Sequence, residues 1–557
     1  KVCAHSGSGD VTEVIDADCV AMSGGWSPVV HLWSHCGGKL NWSETQSFFA
    51  PDPARPPTGA DGKAMASCAG AAAGDLPVAD LTGAAPEATV MPVWVMPAHA
   101  TRKMKFKMWL DFQNDVKVSD VELAAQEGYA SVEHTKRYTT LGMATDQGKV
   151  SNINGLAVLS GALNQPIPAT GTTTFRPPYT PLTFGTIAAE ARGDLFQPLR
   201  KTPMHDWHQA RGAHWEPVGH WRRAYCYPKA GESHADAVAR EILAVRASVG
   251  TLDASTLGKI IVKGPDAGKF LDMIYTGMMS TLPVGKCRYG LICNENGFLI
   301  DDGVAARLSE DTWLVHTTTG GADRMHGHFE DWLQCEWWDW KVYTANVTEE
   351  WAQIAVVGPK AREVLERLGG MDLSPEALPF MGWAEGEIAG IPARVYRISF
   401  SGELSFEVAV PANRGLELWQ KLQEAGADLG ITPYGTEAMH VMRAEKGFIM
   451  IGDETDGTVI PQDLGMGWAI SKKKPDYIGK RAQERSHMTD PDRWKLVGLE
   501  SIDGRMLPDG VYAVAAGVNP NGQRNVQGRV TSTYMSPTLK APIAMALVLR
   551  GPERMGE

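Results

Sequence analysis

The 557-residue chain carries 53 Lys and Arg against 65 Asp and Glu, a formal net charge of −12. With a pI near 5.7 its average surface repels nucleic acid and anionic membrane, which excludes both as main partners and leaves only local basic clusters. One hydrophobic core cannot fill this length, so roughly two to four domains are expected.

The eight cysteines, at 3, 19, 36, 68, 226, 287, 293 and 335, show neither CxxC nor zinc-type spacing. No stretch reaches the roughly 18 apolar residues of a spanning helix. A reduced, cytoplasmic protein with no membrane span and no metal site is therefore expected. Residues 19–22 form an apolar, strand-like run ending in Ser23-Gly24-Gly25-Trp26-Ser27-Pro28. A strand entering a Gly-Gly turn lets backbone approach a ligand in nucleotide-binding α/β domains, so Gly24 and Gly25 are cofactor-binding candidates, although GxGxxG is absent. The small residues of 66–74 suit close approach to a pyrophosphate or, more simply, tight packing; residues 51–62 and 76–100 read as loop. Residues 1–100 are thus expected to be a partial, Rossmann-like nucleotide-binding domain.

Residues 101–165 read as a small helical domain, with amphipathic helices at 118–127 and 131–138 started by Ser119 and Ser131. No cysteine lies between 100 and 170, so this part cannot hold an iron–sulfur cluster. Lys136, Arg137, Thr139 and Thr140 gather cations and hydroxyls beside Gly142. That cluster suits a phosphate, and it equally suits a solvated helix end. The prolines of 166–200 predict an extended linker.

After residue 200 the pattern is mixed α and β and contains an echo. Residues 262–271 and 357–365 each read as strand, Gly-Pro turn and helix, followed by further strands and another helix. Two split βαβ units, each an antiparallel sheet covered by helices, fit residues 201–485 and place a site between the halves. Short strands at 496–499, 511–515, 528–532 and 543–549 predict a small β-barrel over 486–557.

Within this region, residues 288–308 (RYGLICNENGFLIDDGVAARL) read as a hairpin around Asn294-Glu295-Asn296-Gly297. Asp301 and Asp302 are adjacent on its second strand and must point to opposite faces, so one carboxylate faces inward and needs a partner unless the strand end is frayed and both are wet. Glu403 and Glu407 are an even number apart and share a face if the strand is regular. A pocketed carboxylate there accepts two parallel hydrogen bonds from an amidine-like edge such as a pterin's, or pairs with Arg394 or Arg397. Arg443-Ala444-Glu445-Lys446-Gly447 is a third charged group.

From residue 202 onward the chain resembles the aminomethyltransferase (T-protein) folate-binding family. The resemblance rests on MHDWHQARGAHWEPVGHW (204–221), VRASVGTLDASTLGKIIVKGPDAGKFL (245–271), NENGFLIDDGVAARL (294–308), FSGELSFEV (400–408), MRAEKGFIMIGDETDGTVIPQDLGMGW (442–468), DYIGKRA (476–482) and GRVTSTYMSP (528–537). The leader 113–149, preceded by AMSGGWSP, is similar to the alpha subunits of heterotetrameric sarcosine oxidases. That resemblance implies an α+β fold: an aminomethyltransferase-like domain and a C-terminal barrel, preceded by a helical domain and part of a nucleotide-binding domain. It implies that the chain is cut at both ends. It implies tetrahydrofolate as ligand, NAD in the complete chain, and FAD and FMN in or against a flavin-bearing beta subunit, with small gamma and delta subunits completing the assembly.

Sarcosine would be oxidised to glycine and hydrogen peroxide, and its methyl carbon captured as 5,10-methylenetetrahydrofolate. The family's inner aspartate maps to Asp302, with Asp301 second, and its pterin-binding glutamate to Glu407. Further folate contacts are implied at Glu403, Phe400, Arg443 and Tyr289. The family's motif tyrosine is Phe400 here, and an arginine preceding its helical RxE motif falls on Met439. A stand-alone aminomethyltransferase of the glycine cleavage system is the nearest rival. A non-catalytic folate-binding protein is the next, but Lys446-Gly447-Phe448-Ile449 lacks the reactive cysteine of that group.

Overall fold

The computed structural model describes residues 2–5, 11–19, 26–75, 92–96, 100–175, 177 and 180–556. They gather into two units, Lys1–Arg192 and Gly193–Glu557. In the first unit, local hairpins dominate. β1 (Val2–His5) pairs antiparallel with β2 (Val11–Ile15), β3 (Leu40–Ser43) with β4 (Phe48–Pro51), and β5 (Trp109–Asp111) with β6 (Val116–Lys117). No parallel pair, the mark of a dinucleotide-binding crossover, occurs among the described residues of this unit. Gly24 and Gly25 lie outside the described residues, as do 20–22.

Three helices, Val118–Gln126, Val132–Thr139 and Asn152–Ala162, follow β6. They enclose Leu110, Val121, Leu141, Val158 and Leu159. Ser131 occupies the N-cap of the second helix, where the sequence places it. The first helix starts before Ser119, with Lys117 at its N-cap. There the Asp120 carboxylate accepts from the Lys117 N–H at 2.8 Å, and this satisfies a free helix-end donor without the serine. The segment expected to be an extended linker contains two short helices, Ile167–Thr170 and Phe184–Ala188.

The second unit opens with a hairpin, β7 (His214–Val218) and β8 (Trp221–Cys226), and is built on two antiparallel sheets. One has the order β11 (Cys287–Cys293), β12 (Leu299–Ser309), β13 (Thr312–Thr317), β10 (Gly258–Lys263), β14 (Tyr343–Asn346). The other has the order β16 (Trp383–Ile388), β17 (Ile391–Tyr396), β18 (Ser405–Pro411), β15 (Trp351–Val357), β9 (Gly250–Asp253), with β19 (Thr432–Pro433) added in parallel.

The two orders are the same, and the echo in the sequence is its source. β10 passes through Gly264-Pro265 into the helix Ala267–Ile274, and β15 passes through Gly358-Pro359 into the helix Ala361–Leu368. Both glycines are required. Their φ angles are +139° and +123°, and a Cβ would stand 2.1 Å from the Lys341 carbonyl oxygen and 2.4 Å from that of Ser248. Each repeat also gives away its first strand: β9 precedes β10 yet pairs with β15, and β14 precedes β15 yet pairs with β10. This exchange ties the halves together and holds their sheets face to face.

Alternation then sorts the side chains. The outer face of the second sheet buries Ile354, Val356, Phe406 and Val408 beneath the helices Ala361–Leu368 and Gly415–Ala425. The outer face of the first buries Ile260, Val262, Trp313 and Val315 beneath Ala267–Ile274 and Ala322–Cys335. Each such residue contributes roughly 1.5–3 kcal/mol by leaving water. Between the sheets lie Cys287, Ala306, Leu314, Tyr396, Ile398 and Ala409.

The last region forms a four-stranded antiparallel sheet ordered β20 (Trp494–Glu500), β23 (Ala541–Leu549), β22 (Val526–Ser536), β21 (Tyr512–Val514). Among the described residues, no helix is long and apolar enough to cross a membrane.

Candidate functional site

The residues that separate the two sheets are apolar in the middle and polar around it. By the same alternation, Tyr289 shares a face with Cys287, Asp302 with Val304, His316 with Leu314, Lys259 with Ile261 and Glu407 with Ala409. These polar side chains therefore lie on the sheet faces that carry this apolar cluster, with Tyr289 packed against the neighbouring cluster of Leu291, Leu299, Ile449 and Leu547.

Asp302 and Tyr289 are diagonal neighbours, since Asp302 is opposite Leu291 and Tyr289 is opposite Val304. The Tyr289 hydroxyl donates to Asp302 Oδ2 at 2.5 Å. The Tyr289 ring stacks against Trp468 at 6.2 Å, and the indole itself is 72% exposed. Burial raises the Asp302 carboxyl to about 7; the Tyr289 hydrogen bond works against this rise and the neighbouring Asp301 adds to it. The same contacts, burial first, push the Tyr289 hydroxyl well above its usual range.

Asp301 points the other way, as adjacent strand residues must. It is fully buried and accepts from the N–H of Asp302 at 2.9 Å and from that of Thr318 at 3.4 Å. Burial lifts it to about 6. Its Oδ2 lies against Gly321, the residue before the helix Ala322–Cys335, where a Cβ would come within 1.9 Å. Asp301 therefore belongs to the joint between β12, β13 and that helix. Asp302, only part-buried, lies on the opposite face, which it shares with Tyr289 and Val304.

Glu407 on β18 accepts a short hydrogen bond from Gln353 Nε2 on β15. Burial raises its carboxyl above the ordinary range, and Gln353 and the Lys259 ammonium oppose that rise. Lys259 is buried and donates to the carbonyls of Ser255 at 3.0 Å and Leu257 at 2.8 Å; burial lowers it to about 7. His316 donates from Nδ1 to the Val304 carbonyl at 3.1 Å and meets the Tyr396 ring edge-on. His316 Nε2, Gln353 Oε1 and the Tyr396 hydroxyl are buried without a protein partner. Sequence reasoning missed Lys259, His316 and Gln353. Lys259 carried a signal, a lysine directly before the apolar run Ile260-Ile261-Val262.

Several expected ligand contacts are occupied otherwise. Glu403 precedes β18 and does not share a strand face with Glu407. Its partner is neither Arg394 nor Arg397 but Arg246, at 2.7 Å, whose other terminal nitrogen holds Glu445 at 2.6 Å. Phe400 stacks on Phe448 at 6.4 Å.

Arg443 is completely buried on the helix Thr436–Ala444. Its terminal nitrogens donate to Glu454 at 2.8 Å, Asp453 at 3.0 Å, the Ser532 hydroxyl at 2.9 Å and the Phe448 carbonyl at 3.0 Å. It bolts this helix to β22, and of its three guanidinium nitrogens only the buried Nε has no protein partner.

In the first unit, Lys136 turns inward and its Nζ reaches the Thr174 carbonyl at 3.5 Å, whereas Arg137 is exposed. The Thr139 and Thr140 hydroxyls donate to the carbonyls of Thr135 and Thr139. All four sit at a helix C-terminus, where free carbonyls repel an anion, so they form no phosphate cradle. Two surface clefts of the second unit, one lined by Trp332, Trp337 and Tyr477 and one by Asp463, Arg493 and Trp494, lie away from Asp302 and Glu407.

Three family models match the chain: the GCVT N-terminal domain over residues 204–474, the glycine cleavage T-protein C-terminal barrel domain over 495–557, and the sarcosine oxidase A3 domain over 105–191. The sarcosine oxidase subunit alpha of Corynebacterium sp. (strain U-96) is 45% identical over 97% of this chain and 58% of its own length. The chain thus spans under three fifths of that relative. The aminomethyltransferase of Corynebacterium aurimucosum is 34% identical over 62% of this chain and 89% of its own. Among solved structures, the glycine cleavage system aminomethyltransferase T from Bartonella henselae has a TM-score of 0.54 at 26% identity, covering 63% of this chain and 90% of that one.

Proposed function

Because the chain belongs to the aminomethyltransferase (glycine cleavage T-protein) family and also carries a sarcosine oxidase A3 domain, we propose that it is the folate-binding part of a sarcosine oxidase alpha subunit. In this reading tetrahydrofolate lies between the two sheets and captures the carbon released from sarcosine as 5,10-methylenetetrahydrofolate. The observation that carries it is the placement of Asp302 with Tyr289 on one sheet and of Glu407 with Gln353 on the other, each on the sheet face that also carries Cys287, Ala306 and Leu314 or Ala409 of the cluster between the sheets.

The donor set suits such a ligand. The 2-amino group and N3 of a pterin form an amidine-like edge that a carboxylate such as Glu407 accepts in two parallel hydrogen bonds. Buried partnerless atoms nearby, Gln353 Oε1, His316 Nε2 and the Tyr396 hydroxyl, are ready for further polar contacts. The folate nitrogens supply the nucleophile for a carbon at the formaldehyde level. Asp302, titrating near neutrality, is suited to take the proton that such a nitrogen gives up. Tyr289 orients that carboxyl, and Trp468 covers the tyrosine ring.

Hydride removal from sarcosine is assigned to FAD or FMN in the beta subunit or at its interface, with gamma and delta subunits completing the assembly. Glycine and hydrogen peroxide are the other products. A stand-alone aminomethyltransferase would use the same folate residues; identity to the oxidase subunit along 97% of the chain favours the oxidase.

The test is Asp302→Asn in the complex reconstituted with its flavin-bearing partner. Oxygen consumption with sarcosine stays near the parent's, while methylenetetrahydrofolate formation falls by about 10²-fold or more and formaldehyde accumulates. Unchanged methylene transfer, or loss of both activities together, overturns the assignment.

A further inference from the structure

The hydrogen bonds around Gln353 are not all satisfied, and the mismatch has a definite form. His316 Nδ1 must carry a hydrogen, because it meets a carbonyl oxygen, that of Val304. In the neutral ring Nε2 is then an acceptor. Burial and the nearby Lys259 keep the ring neutral by lowering it to about 4. Gln353 lies within hydrogen-bonding reach of this ring. Its Nε2 is given to Glu407, so what remains for the histidine is Oε1, a second acceptor. Both His316 Nε2 and Gln353 Oε1 are buried and partnerless.

One half-turn of the amide removes the conflict. Gln353 Nε2 then donates to His316 Nε2, and Oε1 faces Glu407. Two oxygens meet there unless the glutamate carries a proton, so the half-turn and the protonation of Glu407 are one event. While the amide donates to it, Glu407 is an ionised acceptor. With the amide turned, it is an acid that donates.

We propose that Gln353 is a positioning residue that couples the protonation of Glu407 to His316, and so sets which hydrogen-bonding face Glu407 offers to a reduced folate. This rests on the reading of Glu407 as the pterin-binding carboxylate. The groups that face Glu407 are Lys259 from β10, Cys287 from β11, Gln353 from β15, Tyr396 from β17 and Tyr434 before the helix Thr436–Ala444, with His316 from β13 reaching it through Gln353. Lys259 is the cation among them. Lowered to about 7, it loses its charge within the range tested, but it does so in every variant below, so the differences between variants are those of Gln353 and His316.

The test measures the affinity of the full chain for 5-formyltetrahydrofolate from pH 5.5 to 8.5. The ionised glutamate binds the amidine edge, so affinity rises with pH through a midpoint to which Glu407 contributes beside Asp302 and Lys259, both near 7 and common to every variant. Gln353→Leu removes the donor to the carboxylate and moves that midpoint up by about one unit. His316→Leu removes the acceptor that holds the turned amide and moves the midpoint down. His316→Gln, which can receive the amide again, restores the parent value. Where Gln353→Leu does not fold, Gln353→Glu gives the same sign, because two neighbouring acids share one proton.

Opposite shifts from the two sites are not produced by a loss of packing. Shifts of the same sign, or none, in variants whose Glu407→Gln counterpart still loses the ligand overturn the coupling and leave the folate site standing. A Glu407→Gln chain that binds as tightly as the parent removes the folate reading itself.

Discussion

The Tyr289 hydroxyl donates to Asp302 Oδ2 at 2.5 Å across neighbouring strands, while the adjacent Asp301 is turned into the opposite core. One carboxylate is thus held by a tyrosine of the neighbouring strand and the other lies where a helix begins. Both are raised by burial, to about 7 and about 6.

A pH dependence of stability follows from these values. A carboxyl raised above its unfolded value of 3.8 binds its proton more tightly in the folded chain, so it favours folding at low pH and this advantage is lost as pH rises from about 4 to about 7. The aspartates titrate as a coupled pair. Asp302→Asn should remove part of this slope and raise stability at pH 7.5 by roughly 2–4 kcal/mol relative to its effect at pH 4.5. Urea unfolding at the two pH values checks it; an unchanged slope means that Asp302 is ionised and wet.

At the other carboxylate, Gly321→Ala should destabilise the chain by about 1–3 kcal/mol, because its Cβ would press on Asp301 Oδ2. In an Asp301→Ala background the same change should cost clearly less, since the nearest atoms it strikes are gone and only the Thr318 hydroxyl, at 2.7 Å, remains. Additive costs in denaturant melts would show that the helix start, not the carboxylate, makes the glycine necessary.

The sequence made the local parts of this fold readable. The Asn294-Glu295-Asn296-Gly297 turn fixes the β11–β12 hairpin, and Gly297 does take a positive φ of +83°. The two Gly-Pro turns betray the repeat. The exchange of β9 and β14 between sheets is a long-range pairing that leaves no local mark. Glu403 was misjudged by assuming that the strand reaches back to it, whereas β18 begins at Ser405. Arg443 and Lys136 were misjudged because a charge in sequence does not tell which way it points. The Gln353, His316 and Lys259 cluster was invisible because its members come from three strands that only the fold brings together.

Arg443 supplies a test of that distinction. Arg443→Met leaves Glu454 buried without its cation and should cost about 3–5 kcal/mol. Arg443→Lys should recover little, because a lysine cannot reach Glu454, Asp453 and Ser532 together. Pairing Arg443→Met with Glu454→Gln should recover part of the loss. A fully stable Arg443→Lys chain with weakened folate binding would return this residue to the ligand.

A folate site between the sheets depends most directly on Glu407. Calorimetric titration of the full chain with 5-formyltetrahydrofolate at pH 7.5, parent against Glu407→Gln, isolates it, with thermal unfolding as the check that the variant is folded. Losing the charge that receives a buried hydrogen-bonded edge should cost about 2–5 kcal/mol, which is about 30-fold or more in Kd. A folded Glu407→Gln chain with the parent's affinity would contradict a folate site between the sheets.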